Sequence, residues 1–177
     1  MMKLFKKNNF EAYTVEKATD ADSSVVFKIL QGAAAWLKEK GILQWEHLYN
    51  EVEVNEIIED IQAGITYKVL NNTGEIVAVF NFSEMQNEWD IAMWGKRVDH
   101  AFYIHRLAVH KDHHNKQIGR KTLEWIDENI QLNHGFVRLD CIADNPVLND
   151  FYQQAGYRFA GHVGVGEDKF SIYEKAF

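Results

Sequence analysis

One strand, helix, strand unit limits the folds open to this chain more than any other stretch. An apolar strand pattern spans Phe102 to Val109, an amphipathic helix opens at about Gln117 to Gly119, and a second apolar strand pattern spans Phe136 to Ala143. The helix places Ile118, Thr122, Ile126 and Ile130 on one stripe at its own period. Strands that pair in parallel across such a helix need a right-handed crossover. The loop after Val109 then joins a strand end to a helix N-terminus. A row of backbone N–H groups there lacks intrahelical partners and favours phosphate.

The flanking segments make the rest of the sheet antiparallel. Tyr13 to Lys17 reads as a short strand. Asp20 or Asp22 caps a helix that runs to about Lys40, with Val26, Ile29, Leu30, Ala33 and Leu37 inward and Gly41 at its end. A second helix carries Val54, Ile57, Ile58 and Ile61 and stops near Gly64. Ile65 to Leu70 and Ile76 to Phe82 alternate as strands, joined by the turn Asn71-Asn72-Thr73-Gly74. Ser83 to His100 has no clean period and reads as a loop lined by Trp89 and Trp94, or as part of an extended hairpin. A short helix from Pro146 to Ala155 ends at Gly156, and Tyr157 to Val163 and Phe170 to Lys175 close the chain as strands. The expected fold class is α/β: a single domain over 1–177 with a mixed, mostly antiparallel sheet, a central parallel strand pair and flanking helices.

Composition narrows the partners. A formal charge of −7 argues against a general nucleic-acid binder. No segment approaches the roughly 18 consecutive apolar residues of a membrane span. The basic start MMKLFKKNNF lacks the long apolar run of a signal peptide. Cys141 is the single cysteine, so no internal disulfide forms; its apolar strand context, FVRLDCIA, reads as a buried, inert thiol. A reducing, cytoplasmic setting fits. The charge is uneven, however. Between His105 and Lys121 stand Arg106, Lys111, Lys116, Arg120 and Lys121 against Asp112 alone, with His105, His110, His113 and His114 in the same stretch. Such a patch suits a small polyanion better than a long one; on charge alone, a solvated loop and helix face is the equal alternative.

Two stretches carry a family resemblance. YIHRLAVHKDHHNKQIGRKTL and LDCIADNPVLNDFYQQAGYRFAG resemble the cofactor strand with its pyrophosphate loop, and the Asn-containing bend with its Tyr-bearing helix, of the GNAT superfamily of acyl-coenzyme A-dependent N-acetyltransferases. The likeness in element order covers essentially the whole chain. The family's loop pattern, Gln/Arg-x-x-Gly-x-Gly/Ala, here reads His114-Asn115-Lys116-Gln117-Ile118-Gly119. His114 and Gln117 depart from it and Gly119 matches. Backbone donors survive both changes, while the Gln117 side chain restricts close approach or an unusual φ.

The resemblance implies acetyl transfer from acetyl-coenzyme A to a primary amine in a ternary complex, with no resident metal. It places the backbone of Leu107, Ala108 and Val109 against the pantetheine arm. It assigns the diphosphate to the amides of Gln117, Ile118 and Gly119, with His114, Lys116, Arg120 and Lys121 beside them. It carries Asn145 over as a cofactor contact, although Asn before Pro146 is also a plain helix start. Tyr152, two turns along that helix, becomes the acid that protonates the departing thiolate, against a second reading as a core aromatic; Leu148 and Phe151 are expected to make that helix's core contacts. His105 shares a strand face with Tyr103 and is the candidate general base, with Glu84 acting through water as an alternative.

His110, His113 and His114 invite a metal, but the sequence shows no matching carboxylate or Cys pair nearby. Trp45, Trp89 and Trp94 are expected near an acceptor groove. A non-catalytic coenzyme A-binding or sensing module is the alternative function, and a protein binding some other nucleotide is a third. The C-terminal strand edges could pair two chains into a homodimer.

Overall fold

The computed structural model describes residues 3–42 and 51–177. Its elements are β1 (Asn9–Phe10), β2 (Tyr13–Lys17), α1 (Ser23–Glu39), α2 (Glu51–Gln62), β3 (Thr66–Leu70), β4 (Ile76–Ser83), α3 (Glu88–Trp94), β5 (Ala101–Val109), α4 (Ile118–Asn129), β6 (Phe136–Ile142), α5 (Pro146–Gln154), β7 (Arg158–Val163) and β8 (Phe170–Ala176). The strands follow the order β1-β2-β3-β4-β5-β6-β8-β7. β5 and β6 pair in parallel, and β1–β2, β2–β3, β3–β4, β6–β8 and β7–β8 are antiparallel. This is the expected mixed α/β class. The parallel ladder joins Ala101–Tyr103 to residues 136–138 only.

The chain forms two compact units, one from residues up to Asn81 with Arg106–Gln131, the other from Phe82–His105 with Leu132–Phe177. In the first, α1 buries Val26, Ile29, Leu30 and Ala34 with Ile57 and Ile61 of α2, Val79 and Ala108. Ala34 takes the buried place expected of Ala33, which is only partly covered. Neither Asp20 nor Asp22 caps α1 through its side chain. A 3-10 turn over Asp20–Asp22 comes first, and the Asp22 carboxylate accepts from the Thr19 amide at 2.8 Å and from Lys68 at 2.8 Å. Gly41 ends the helix with φ +77, the left-handed region where a missing Cβ removes the clash.

In the second unit, β6 and β8 pair over seven residues from Phe136↔Ala176 to Ile142↔Phe170. Its centre is Arg138, whose side chain is wholly buried. Nη1 and Nη2 donate to the two Asp99 oxygens at 2.8 and 2.7 Å, Nε donates to Glu174 at 3.2 Å, and Nη1 also meets Tyr103 Oη at 3.2 Å. Trp94 and Phe136 lie 4.9 and 4.7 Å from the guanidinium. Removing one partner from such a set strands a buried charge, at about 3–5 kcal/mol.

The stretch 83–100 departs from expectation. Glu88–Trp94 is a helix, α3, not a loop or hairpin. Asn87 accepts from the Asp90 amide at 2.8 Å while the Asp90 carboxylate accepts from the Asn87 amide at 3.1 Å, a reciprocal cap that starts a helix too short to show an apolar period.

Candidate active site

The loop after β5 enters α4 through left-handed backbone and leaves amides open at the helix start. Arg106 (φ +52), Asn115 (φ +63) and Gln117 (φ +60) all take left-handed backbone. Gln117 thus adopts the unusual φ that its side chain disfavours, at about 1–2 kcal/mol. This turn opens α4. The first amide of the segment to bond back is Lys121 N–H, to Gln117 O at 2.9 Å. The amides of Ile118, Gly119 and Arg120 precede it and have no acceptor among the described residues. They are the orphan donors of a helix start, at its positive dipole end.

The side chains around those donors are largely engaged. His114 Nε2 lies 3.2 Å from Val109 O, and its ring meets Trp36 edge-on. Arg120 pairs with Glu124 at 3.1 Å and Lys121 with Glu11 at 2.9 Å. Lys116 has no carboxylate partner among the described residues; its Nζ sits 3.2 Å from His113 Nδ1. Among the described residues, Lys111 and Lys116 are the loop lysines without an ion pair. Arg106 is held by Asp60 at 3.1 Å and Glu56 at 3.4 Å, which fixes the strained point of β5. Ala108 is buried and Leu107 and Val109 half-buried.

Glu75, from the β3–β4 turn, corrects the view that the histidines have no carboxylate nearby. It lies 3.2 Å from His113 Nε2, and Glu75, His110 and His113 place ligand atoms within 4.8 Å of one another. These groups bond among themselves, since His110 Nδ1 accepts from the Asp112 amide at 3.1 Å. The His113 contact also holds the Glu75 carboxyl below its usual range.

In the second unit, Asn145 is buried and accepts from Leu148 N–H at 3.1 Å, so it is the N-cap of α5. Tyr152 is the buried residue of α5; Leu148 and Phe151, expected to make its core contacts, are half-covered. The Tyr152 ring packs on Phe151, Tyr157 and Tyr173. Burial pushes its phenol well above the ordinary range, with the Cys141 and Asp140 charges adding to the shift. The Cys141 thiol is pushed up to about 12 by burial and by Asp140, which leaves it protonated and inert.

A second cluster surrounds His105. Its Nε2 lies 2.8 Å from Asp90 Oδ1, and Asp90 is 1% exposed. The contact is an ion pair when the ring is protonated. Asp90 is fixed at its other oxygen by the Asn87 cap. Asp140, on β6, accepts from Trp89 Nε1 at 3.1 Å; crowding raises its carboxyl pKa, against the opposing pull of His105 and that hydrogen bond. Glu84, the alternative base, is instead paired with His100 at 2.9 Å. Sequence reasoning missed Asp90 and Asp140. The signals were the Asn-x-x-Asp cap at 87–90 and a carboxylate inside an otherwise apolar strand. Trp89 and Trp94 both belong to this unit, while Trp45 lies outside the described residues.

Comparison with known proteins follows this geometry. Residues 63–159 match the family described as acetyltransferase (GNAT) domain. The chain is 30% identical over 156 residues, 87% of its own length and 84% of the relative's, to an uncharacterized N-acetyltransferase, YesJ, of Bacillus subtilis (strain 168). It is 27% identical over 131 residues, 70% of its length and 72% of the relative's, to S-(2-succino)cysteine N-acetyltransferase of the same organism. Among solved structures, a GNAT-family acetyltransferase from Streptococcus agalactiae 2603 superposes with a TM-score of 0.80 at 19% identity, covering 97% of this chain and 99% of that one.

Proposed function

Because the chain belongs to the GNAT acetyltransferase family, we propose that it moves an acetyl group from acetyl-coenzyme A to a primary amine by direct attack in a ternary complex. The observation that carries this reading is the run of open amides at Ile118, Gly119 and Arg120, entered through the left-handed turn at Gln117. Three donors pointing out of a helix start, with Lys116 beside them, match a diphosphate in charge and geometry.

The chemistry then divides among named groups. A backbone N–H near Leu107–Val109 polarises the thioester carbonyl, and such donors typically contribute about 10²–10³ in rate. The acceptor arrives as an ammonium, and releasing its proton at pH 7 costs about 4–5 kcal/mol. His105 takes that proton, with Asp90 holding the resulting imidazolium. The amine nitrogen forms its bond to the carbonyl carbon, the C–S bond breaks and Tyr152 gives its phenolic proton to the leaving sulfur; the second proton, shed by the nitrogen as the amide forms, returns the tyrosinate to phenol, and His105 releases the first to solvent. The inert Cys141 thiol supports direct transfer over a covalent acyl-enzyme. Asn145, already spent on its cap through Oδ1, keeps its side-chain amide donors for the cofactor.

The relative that acts on S-(2-succino)cysteine makes amino-acid amines natural members of an acceptor panel. The test is release of free thiol from acetyl-coenzyme A across that panel. Amine-dependent release is expected. Tight binding of acetyl-coenzyme A with no release for any amine would favour a sensing module.

A further inference from the structure

A groove of about 440 Å³ opens in the second unit beside α3, β7 and β8. Met93, Trp94, Phe159 and Ile172 line it together with Arg97, Arg158 and Glu174. The β7–β8 register slips between Phe159 and Gly161, so Ala160 is an extra residue opposite Ile172. Such a bulge turns side chains out of strict alternation. It accounts for Arg158, Phe159 and Ala160 all lining one groove.

The charges there do not balance. Asp99 is bound by Arg138 and Arg97, and Glu174 by Arg138 and Arg158. Among the described residues, three guanidiniums therefore share two carboxylates in this network, one positive charge in excess on a chain whose net charge is −7. Arg138 is wholly buried and fully committed, but the Arg158 side chain is 78% exposed and spends Nη2 alone on Glu174, at 2.9 Å. The remainder of its fork is the geometry that grips a carboxylate. Arg97 is kept at the groove by its amide, which donates to Gln86 Oε1 at 2.8 Å, and by Asp99.

The groove borders the proposed chemistry through its lining residue Ile172, which pairs with Asp140 across β8 and β6. Trp94 belongs to the same helix as Trp89 and Asp90. Arg138 and Asp140 are alternate residues of β6 and share its face, about 7 Å apart along the strand.

We infer that the acceptor amine also carries a carboxylate, which Arg158 and Arg97 bind in this groove while its apolar body lies against Trp94 and Phe159. This rests on the acetyl-transfer reading and adds the acceptor's chemical class. The incoming carboxylate supplies the anion the cluster lacks, and the His105–Asp140 end of the same face receives the nitrogen.

The test compares L-phenylalanine and S-carboxymethyl-L-cysteine with L-phenylalaninamide and 2-phenylethylamine at saturating acetyl-coenzyme A, read by free thiol. The carboxylate acceptors are expected to show at least a tenfold higher kcat/KM, and Arg158→Gln to collapse that ratio toward one while the melting temperature holds. Preference for the neutral-bodied amines, or an unchanged ratio in Arg158→Gln, overturns the inference. If no amine releases thiol, the acetyl-transfer reading fails on its own. Calorimetry with N-acetyl-L-phenylalanine and its amide then decides the groove. Acid binding at least tenfold tighter and lost in Arg158→Gln sustains it; equal or absent binding overturns it.

Discussion

Tyr152→Phe removes one oxygen from a ring that is otherwise held by packing. The phenyl keeps the contacts to Phe151, Tyr157 and Tyr173, so folding stability should change by less than about 1 kcal/mol. The effect on chemistry is larger, and Cys141 gives its scale. Burial and Asp140 carry that thiol from 9.0 to about 12. At about 1.4 kcal/mol per unit, a thiolate in those surroundings is destabilised by roughly 4 kcal/mol. A departing coenzyme A thiolate that met the same surroundings would need its proton as the C–S bond breaks. Tyr152, desolvated in the same way, is poised to supply it. General acids of this kind contribute about 10²–10⁴. The expected result in stopped-flow thiol release is a kcat lowered about 10²–10³-fold, with the KM for acetyl-coenzyme A within threefold and the melting temperature unchanged. A kcat within threefold of the parent protein would refute the acid role and leave Tyr152 as a core aromatic. A large fall in melting temperature would refute the premise that its hydroxyl carries no structural load.

Two further predictions concern the His105 cluster. Asp90→Asn keeps a side-chain acceptor for the Asn87 amide but removes the charge facing His105, so kcat should fall about tenfold or more while the melting temperature holds. Loss of rate with a large fall in melting temperature would assign Asp90 to the helix cap alone. Asp140→Asn should stabilise the fold, and the sign follows from its raised carboxyl pKa. The folded state holds that proton to higher pH than the unfolded chain does. The penalty is thus absent below about pH 4, the unfolded carboxylate range, and complete once pH exceeds the folded value. Thermal melts at pH 3 and pH 7 should show no gain at the first and a gain of at least about 2 °C at the second. Equal gains at both would remove desolvation as the cause.

Much of the fold could be read from the chain because its long elements repeat their apolar residues at one period. Ile118, Thr122, Ile126 and Ile130 are all buried as the stripe requires, and β3 to β6 begin and end within two residues of their apolar patterns. Local rules failed where a contact across the chain decides the outcome. α3 rests on two reciprocal hydrogen bonds at Asn87 and Asp90 rather than on periodicity. Asp22 stands at the N-cap position of α1 as expected, but its carboxylate turns to Lys68, 46 residues away, instead of the helix amides. The histidines after β5 found a carboxylate in Glu75, from a hairpin more than 30 residues upstream. The loop cations show the same limit: their clustering is plain in the sequence, but the pairing of Arg120 with Glu124 and Lys121 with Glu11 is not. The groove beside β7 depends on a one-residue register slip that no composition rule marks.

The central claim is that main-chain amides opening α4 grip a diphosphate. The most direct measurement is an amide ¹⁵N–¹H titration of the protein with coenzyme A, beside one with pantetheine, which lacks the diphosphate. The expected result is large, saturable shifts at Ile118, Gly119 and Arg120 with coenzyme A and little movement there with pantetheine. Shifts that are absent with coenzyme A, or equal with both, would contradict it.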